Sequence, residues 1–200
     1  MTALAAAVIL AGGRGDRLGG TDKPALRLGP RSLLDICLDA VRGCPTVVVG
    51  PPRELPAEVI ATREHPAGGG PAAAVAAGIA ALPPLPSDAV VAVLAADLPG
   101  IDRATIARLT AALTAAEPDG QEPGGAEPGG AVLVDDAGRR QYLIGTWRLD
   151  RLRAAMARRP DWSGAPLRRL LEPIDTVEVA AVHRESADVD TPEDWRRWQS

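Results

Sequence analysis

Two hundred residues suffice for one α/β domain with a sizeable core, and a single domain over residues 1–200 is expected. A formal net charge of −4 argues against a general nucleic-acid binder, which carries a clear positive excess. Aromatic residues are only 2% of the chain and Phe is absent, so the core must rest on Leu, Val, Ile and Ala.

The first element in chain order is a short apolar run, Ala5–Leu10, the pattern of a strand buried on both faces. A glycine-rich loop follows from Gly12 to about Thr21. Ser32 and Asp35 have capping-box spacing and open a helix whose Leu34, Leu38 and Val41 share a face, with Gly43 closing it. Thr46–Gly50 and Val59–Arg63 read as strands. Gly68-Gly69-Gly70-Pro71 is a turn whose proline suits the first position of a helix over Ala72–Leu82. Val90–Leu94 is another buried strand, ending at Ala95-Ala96-Asp97, and Asp102 caps the next helix. Glu117–Gly130 is acidic and rich in Pro and Gly, which predicts a flexible surface loop. Strands resume at Ala131–Val134 and Gln141–Thr146. Helices over Leu149–Arg158 and Pro166–Leu171, a strand at Thr176–Val179 and a last helix from Pro192 to about Gln199 complete the chain.

Strands alternating with helices predict a three-layer, Rossmann-like fold: a mainly parallel sheet with helices on both faces. Sheets of this kind bind ligands beyond the carboxyl ends of their strands, so chemistry belongs to the loops after Leu10, Gly50, Arg63 and Leu94. Gly12-Asp16 interrupts the first apolar run well short of a membrane span, and no basic leader precedes it, so a cytoplasmic protein is expected. Cys37 and Cys44 match no zinc spacing and make no disulfide framework; they read as structural thiols.

Leu10–Pro24, LAGGRGDRLGGTDKP, carries most of the functional signal. Its glycines let the backbone approach a ligand, and successive N–H groups in such a loop form an anion-binding concavity. It is neither G-x-G-x-x-G, because Leu18 stands at the third glycine, nor a Walker loop, because Thr21 follows Gly20 where lysine is required. Lys23 is the one lysine of the chain, against 21 arginines. A compact ammonium acts as a point charge on phosphate, where arginine favours planar bidentate pairing.

The pattern L-A-G-G-x-x-x-R-L-G-G-x-D-K resembles the signature of the molybdenum cofactor guanylyltransferase family, within the nucleotidyltransferase (pyrophosphorylase) superfamily. Gly70-Pro71, the Leu94–Pro99 turn around Asp97, and Asp188–Asp194 (DVDTPED) resemble its later motifs in the same order. The resemblance implies a nucleotide-diphospho-sugar transferase-like fold. It implies base and ribose contacts at Leu10, Ala11, Gly12 and Gly13, phosphate contacts at Arg17 and Lys23, and Mg²⁺ on Asp97 and Asp190. It further implies GTP as donor and molybdopterin as acceptor, with pyrophosphate released. Arg17, Lys23 and Asp97 would be the catalytic set, and Gly70 would lie near the nucleobase. Three departures stand out. His65, with Glu64 beside it, fills the place where the family has an acid before the glycine-proline turn; Gly50-Pro51 replaces an Asn after the second strand; and Asp replaces Asn at 188 and 190.

Asp97 has support independent of the resemblance. An aspartate ending a buried strand is costly unless exposed or paired, and Mg²⁺ favours carboxylate and phosphate oxygens together. Asp102 already supplies the helix cap. Asp190 before Thr-Pro-Glu is equally a helix start. His65 and His183 lie at no ligand spacing, and no G-x-S-x-G elbow is present, so hydrolase chemistry has no support. Between Arg139 and Arg169 nine arginines face two acids, a surface suited either to an acceptor phosphate or to solvent. The rivals are a CTP-using or other-acceptor enzyme of the superfamily, such as a phospholactate guanylyltransferase, and a non-catalytic nucleotide-binding partner of a molybdoenzyme in cofactor insertion.

Overall fold

The computed structural model describes residues 3–13, 20–115 and 127–199. Its first strand, β1 (Leu4–Leu10), alternates as a strand buried on both faces must. Ala6, Val8 and Leu10 enter one apolar cluster; Ala7 and Ile9 enter another on the opposite face. A single 3₁₀ turn, Lys23–Ala25, and a small hairpin, β2 (Arg27–Leu28) with β3 (Arg31–Ser32), lead into α1 (Leu33–Ala40). The predicted capping box is present, with Asp35 N–H donating to Ser32 Oγ at 3.0 Å and Ser32 N–H to the Asp35 carboxylate at 2.8 Å. The 3₁₀ turn and the hairpin carry too little apolar periodicity to be read from sequence.

The remaining elements are β4 (Thr46–Val49), β5 (Val59–Thr62), α2 (Pro71–Ala80), β6 (Val90–Ala95), α3 (Arg103–Ala115), β7 (Gly130–Val134), β8 (Arg140–Arg148), α4 (Leu149–Met156), α5 (Leu167–Leu171), β9 (Thr176–Ala180) and α6 (Pro192–Gln199). Seven strands form one sheet in the order β5-β4-β1-β6-β8-β7-β9. All run parallel except β8, which pairs antiparallel with both β6 and β7. One face is covered by α2, α4 and α5, the other by α1 and α3, which gives the expected three layers. Among the described residues no helix is long and apolar enough to cross a membrane.

Small residues set how closely these layers approach. A Cβ on Gly78 of α2 would lie 2.3 Å from Val8 Cγ1, so the alanine-rich helix rests almost directly on the sheet. The acidic Pro/Gly segment ends sooner than predicted. Residues 116–126 lie outside the described residues, but Gly130 is buried and begins β7, with Gly129 packed just before it. A Cβ on Gly130 would meet the Trp147 ring at 2.4 Å. The last glycines of the low-complexity run are thus packing positions beside a core tryptophan, which composition alone cannot distinguish from loop glycines.

Candidate active site

The carboxyl ends of β1, β4, β5 and β6 point the same way, and the loops leaving them surround a cavity of about 920 Å³. That volume suits a nucleotide-sized ligand, since small-molecule pockets run from roughly 300 to 1,000 Å³. Leu10, Gly12 and Gly13 form one wall, with Gly13 at φ +130°, a conformation that favours glycine. Gly70, Pro71 and Ala74 at the start of α2 form another. Ala11 does not reach the wall. It is buried in the opposite core, and its N–H donates to Val49 O at 2.8 Å.

The 3₁₀ turn aims Lys23 into the cavity. Its Nζ donates to Asp97 Oδ2 at 3.5 Å and to Asp190 Oδ1 in a shorter contact. The two carboxylates lie 74 and 167 residues from Lys23 in sequence. Lys23 and Asp97 side chains are only 18% and 23% exposed, so this charge cluster is partly removed from water. Burial alone would lower the ammonium's pKa, but hydrogen bonds and charge from Asp190 and Asp97 outweigh it and hold Lys23 above its ordinary value. Asp97 is pushed above the usual carboxylate range by burial, with Lys23 opposing. Asp188, on the same wall, is also pushed up, first by burial and then by the neighbouring charges of Asp190 and Asp97. Beneath the turn, burial drives the Cys37 thiol up to about 12, and the thiol donates to Ala95 O at 3.3 Å; it is a structural group.

Asp190 is relieved of helix capping. Thr191 and Asp194 exchange hydrogen bonds at the start of α6, with Asp194 N–H on Thr191 Oγ1 at 3.1 Å and Thr191 N–H on the Asp194 carboxylate at 2.9 Å. Asp102 caps α3 as predicted, receiving Thr105 N–H at 2.8 Å, which leaves Asp97 to the cavity. A buried network fixes the segment that carries Asp188 and Asp190. Glu185 receives Arg108 Nη1 at 2.6 Å, Arg108 Nη2 at 2.9 Å, Thr105 Oγ1 and Val182 N–H, and Val189 N–H donates to Asp97 O at 3.2 Å.

Several sequence expectations shift on this geometry. His65 is exposed and off the cavity wall, whereas Arg63 and Glu64 are on it; Glu64 accepts Gly68 N–H at 2.8 Å. Arg17 lies outside the described residues. None of the nine arginines between 139 and 169 lines the cavity, and acids elsewhere in the chain pair several of them: Asp135 with Arg139, Glu178 with Arg140, Glu172 with Arg168. Gly50 now has a physical reason, because a Cβ there would sit 2.6 Å from Ala11 O. Sequence reasoning missed Arg53, three residues beyond, and the wall formed by Gln141–Ile144, Leu167 and Ser186. The position of Arg53 just past a strand's carboxyl end was the available signal for it.

Gly12, Gly13, an ammonium and paired carboxylates thus line one cavity at the carboxyl ends of a mainly parallel sheet. The profile of the MobA-like NTP transferase domain matches residues 7–180. The chain belongs to that family. Its members are nucleotidyltransferases that take a nucleoside triphosphate as substrate. No curated protein sequence matches the chain at a significant level. Among solved structures, Rv0371c from Mycobacterium tuberculosis is 20% identical over 100% of this chain and 99% of its own, with a TM-score of 0.70. Molybdopterin-guanine dinucleotide biosynthesis protein A from Archaeoglobus fulgidus is 18% identical, covering 97% and 96%, at 0.67. The 2-C-methyl-D-erythritol 4-phosphate cytidylyltransferase from Thermus thermophilus is 22% identical, covering 96% of both chains, at 0.65. At these identities the likeness concerns the fold.

Proposed function

We propose that this MobA-like transferase moves GMP from GTP onto molybdopterin and releases pyrophosphate. The observation that carries the reading is the convergence of Lys23, Asp97 and Asp190 in the cavity that Gly12 and Gly13 also line. An oxygen of the acceptor's phosphate forms a bond to the α-phosphorus as the bond from that phosphorus to the bridging oxygen breaks. The electron pair leaves with pyrophosphate. No enzyme nucleophile takes part, so the chain's residues act by positioning and by neutralising charge.

Asp97 and Asp190 fit a divalent ion of the Mg²⁺ kind. They offer hard oxygen donors already grouped around one cation, and among the described residues no third acid, His or Cys joins them to complete a cage. Mg²⁺ is usually held in this way, by one or two carboxylates with phosphates and waters completing the shell. Bound there, it would supply positive charge to the triphosphate. The Lys23 ammonium, no longer needed between the two carboxylates, would then reach phosphate oxygens across the cavity from Gly13. Arg17, by its place in the same loop, is the second cation proposed for that task.

Glu64 supports guanine as the base. One of its oxygens is held by Gly68 N–H, and its carboxylate can still accept from the amino group and ring N–H of guanine. Cytosine offers an amino group beside a ring acceptor, which would face the carboxylate unfavourably. The test is pyrophosphate release with molybdopterin and each of the four common triphosphates, with and without Mg²⁺. GTP with Mg²⁺ should exceed CTP by about tenfold or more, and Glu64→Gln should narrow that ratio. Preference for CTP, or turnover with a sugar or lactate phosphate but not with molybdopterin, would refute the assignment of substrates while leaving the reaction class intact.

A further inference from the structure

Arg53 makes an arrangement that the reaction does not directly use. It follows Pro51-Pro52 in the loop after β4, and its side chain is only 12% exposed. Its Nη2 donates to Ala11 O at 2.8 Å. The same guanidinium forks onto Asp22, with Nη1 on Oδ2 and Nη2 on Oδ1, both at 3.3 Å. Ala11 is the last residue before Gly12, and Asp22 is the last before Lys23. One side chain therefore grips both ends of the glycine-rich loop.

Two further features show that this grip is built around the loop. The carbonyl that Arg53 holds also lies where a Cβ on residue 50 would sit, so Gly50 lets the loop after β4 close onto Ala11 and brings Arg53 within reach. Arg53 Nε, meanwhile, is buried with no acceptor among the described residues. A guanidinium placed for its own hydrogen bonding would not leave a donor buried and unmet. The ion pair itself contributes little, because Asp22 is 56% exposed and such pairs are weak in water. What the geometry adds is constraint.

We infer that Arg53 is a positioning residue: it straps Ala11, beside Gly12 and Gly13, to Asp22, beside Lys23, and so sets these two sides of the triphosphate site against each other. This rests on the reading of the loop as the triphosphate site. Ten residues separate the two held ends, including Gly12, Gly13, Gly15, Gly19 and Gly20. With both ends held by one side chain, the Gly12-Gly13 wall and the Lys23 ammonium keep a fixed separation, and a site whose two sides already stand in the bound arrangement binds its ligand more tightly. The strap acts on nucleotide binding rather than on the acceptor.

The experiment measures the Kd of a non-hydrolysable GTP analogue with Mg²⁺ by calorimetry, and the KM of nucleotide and acceptor separately. It compares wild type, Arg53→Ala, Arg53→Lys, Asp22→Asn and the double variant Arg53→Ala/Asp22→Asn. Arg53→Ala should raise nucleotide Kd and KM by about tenfold or more, with acceptor KM changed less than about twofold. Arg53→Lys can keep the Ala11 contact but not the fork, and should recover part of the loss. Asp22→Asn should weaken nucleotide binding in the parent and add nothing in the Arg53→Ala background. If Arg53→Ala does not fold, Arg53→Lys and Asp22→Asn carry the same comparison. Unchanged nucleotide KM in these variants, or equal increases for nucleotide and acceptor, overturns the strap. A wild type that binds no nucleoside triphosphate overturns the reading of the loop, and the strap with it.

Discussion

Two cavities of nearly equal volume open at opposite ends of the sheet. One, about 920 Å³, lies beyond the strand carboxyl ends; the other, about 950 Å³, lies between α1 and α3 near Leu4, at the amino ends. The second is walled by Ala104, Ile106, Ala107, Thr110, Ala111 and neighbours. Its hydroxyls are consumed locally, Thr110 Oγ1 on Ile106 O at 2.8 Å and Thr114 Oγ1 on Thr110 O at 3.1 Å. Among the described residues no carboxylate lines it, and Arg42 on its wall is paired with Asp39. In the first, an ammonium, Asp97 and the Asp188–Asp190 segment share one space though far apart in sequence, and Asp97 and Asp188 are held above their usual range. Space is a by-product of packing helices on a sheet. Charge gathered at a cost in desolvation is the physical ground on which the carboxyl end is proposed as the functional one.

The largest contrast is expected from the charges of the carboxyl-end cavity. Lys23→Ala and Asp97→Asn should each lower kcat by about a hundredfold or more, as removal of a charge aimed at the transition state does. Circular dichroism and melting temperature should stay near wild type, because both side chains line a cavity and anchor no core. Comparable substitutions around the amino-end cavity should not behave this way.

A middle-sized effect belongs to the buried network beneath the site. Glu185 is 6% exposed. Burial alone would raise its pKa, yet Arg108, Thr105 and the Val182 N–H hold it down at about 2, against an ordinary 4.5. A depressed carboxylate stabilises the fold above its unfolded pKa and loses that contribution as pH falls toward its folded one. The shift corresponds to about 3 kcal/mol, present above roughly pH 4.5 and fading toward pH 2. Glu185→Gln should therefore lower chemical-denaturation stability at pH 7 by about that amount and flatten its dependence on pH below 4.5. Unlike the cavity variants, it should affect activity chiefly through the stability of the Asp188–Asp190 segment.

The architecture could be read in the sequence because apolar runs such as Val90–Ala95 and the capping residues Ser32 and Asp102 are local signals, and their strand and helix ends fell within a residue or two. The reaction class was readable through the family resemblance of the L-A-G-G-x-x-x-R-L-G-G-x-D-K motif and the later motifs in the same order. What sequence could not give was which neighbour faces the cavity. His65 and Glu64 are adjacent, and only backbone geometry decides that Glu64 lines the wall. Net charge over Arg139–Arg169 left an acceptor surface and a solvated one equally open for a related reason, since the acids that neutralise those arginines come from other elements. For Arg53 the sequence offered only its place past a strand's carboxyl end, because its meaning lies in two contacts 42 and 31 residues away.

The smallest effects separate residues outside the cavity from those on its wall. His65→Ala should leave nucleotide KM within about twofold of wild type, as should Thr110→Ala at the amino-end cavity, when both are assayed by pyrophosphate release. A large loss from His65→Ala would move the base-recognition edge from Glu64 to the histidine.

The most direct measurement is a crystal structure with a non-hydrolysable GTP analogue and Mg²⁺. The triphosphate should lie against Gly12 and Gly13 with Lys23 Nζ on a phosphate oxygen and the metal on Asp97. A triphosphate bound elsewhere, or Lys23 still paired with Asp190 and touching no phosphate, would contradict the account.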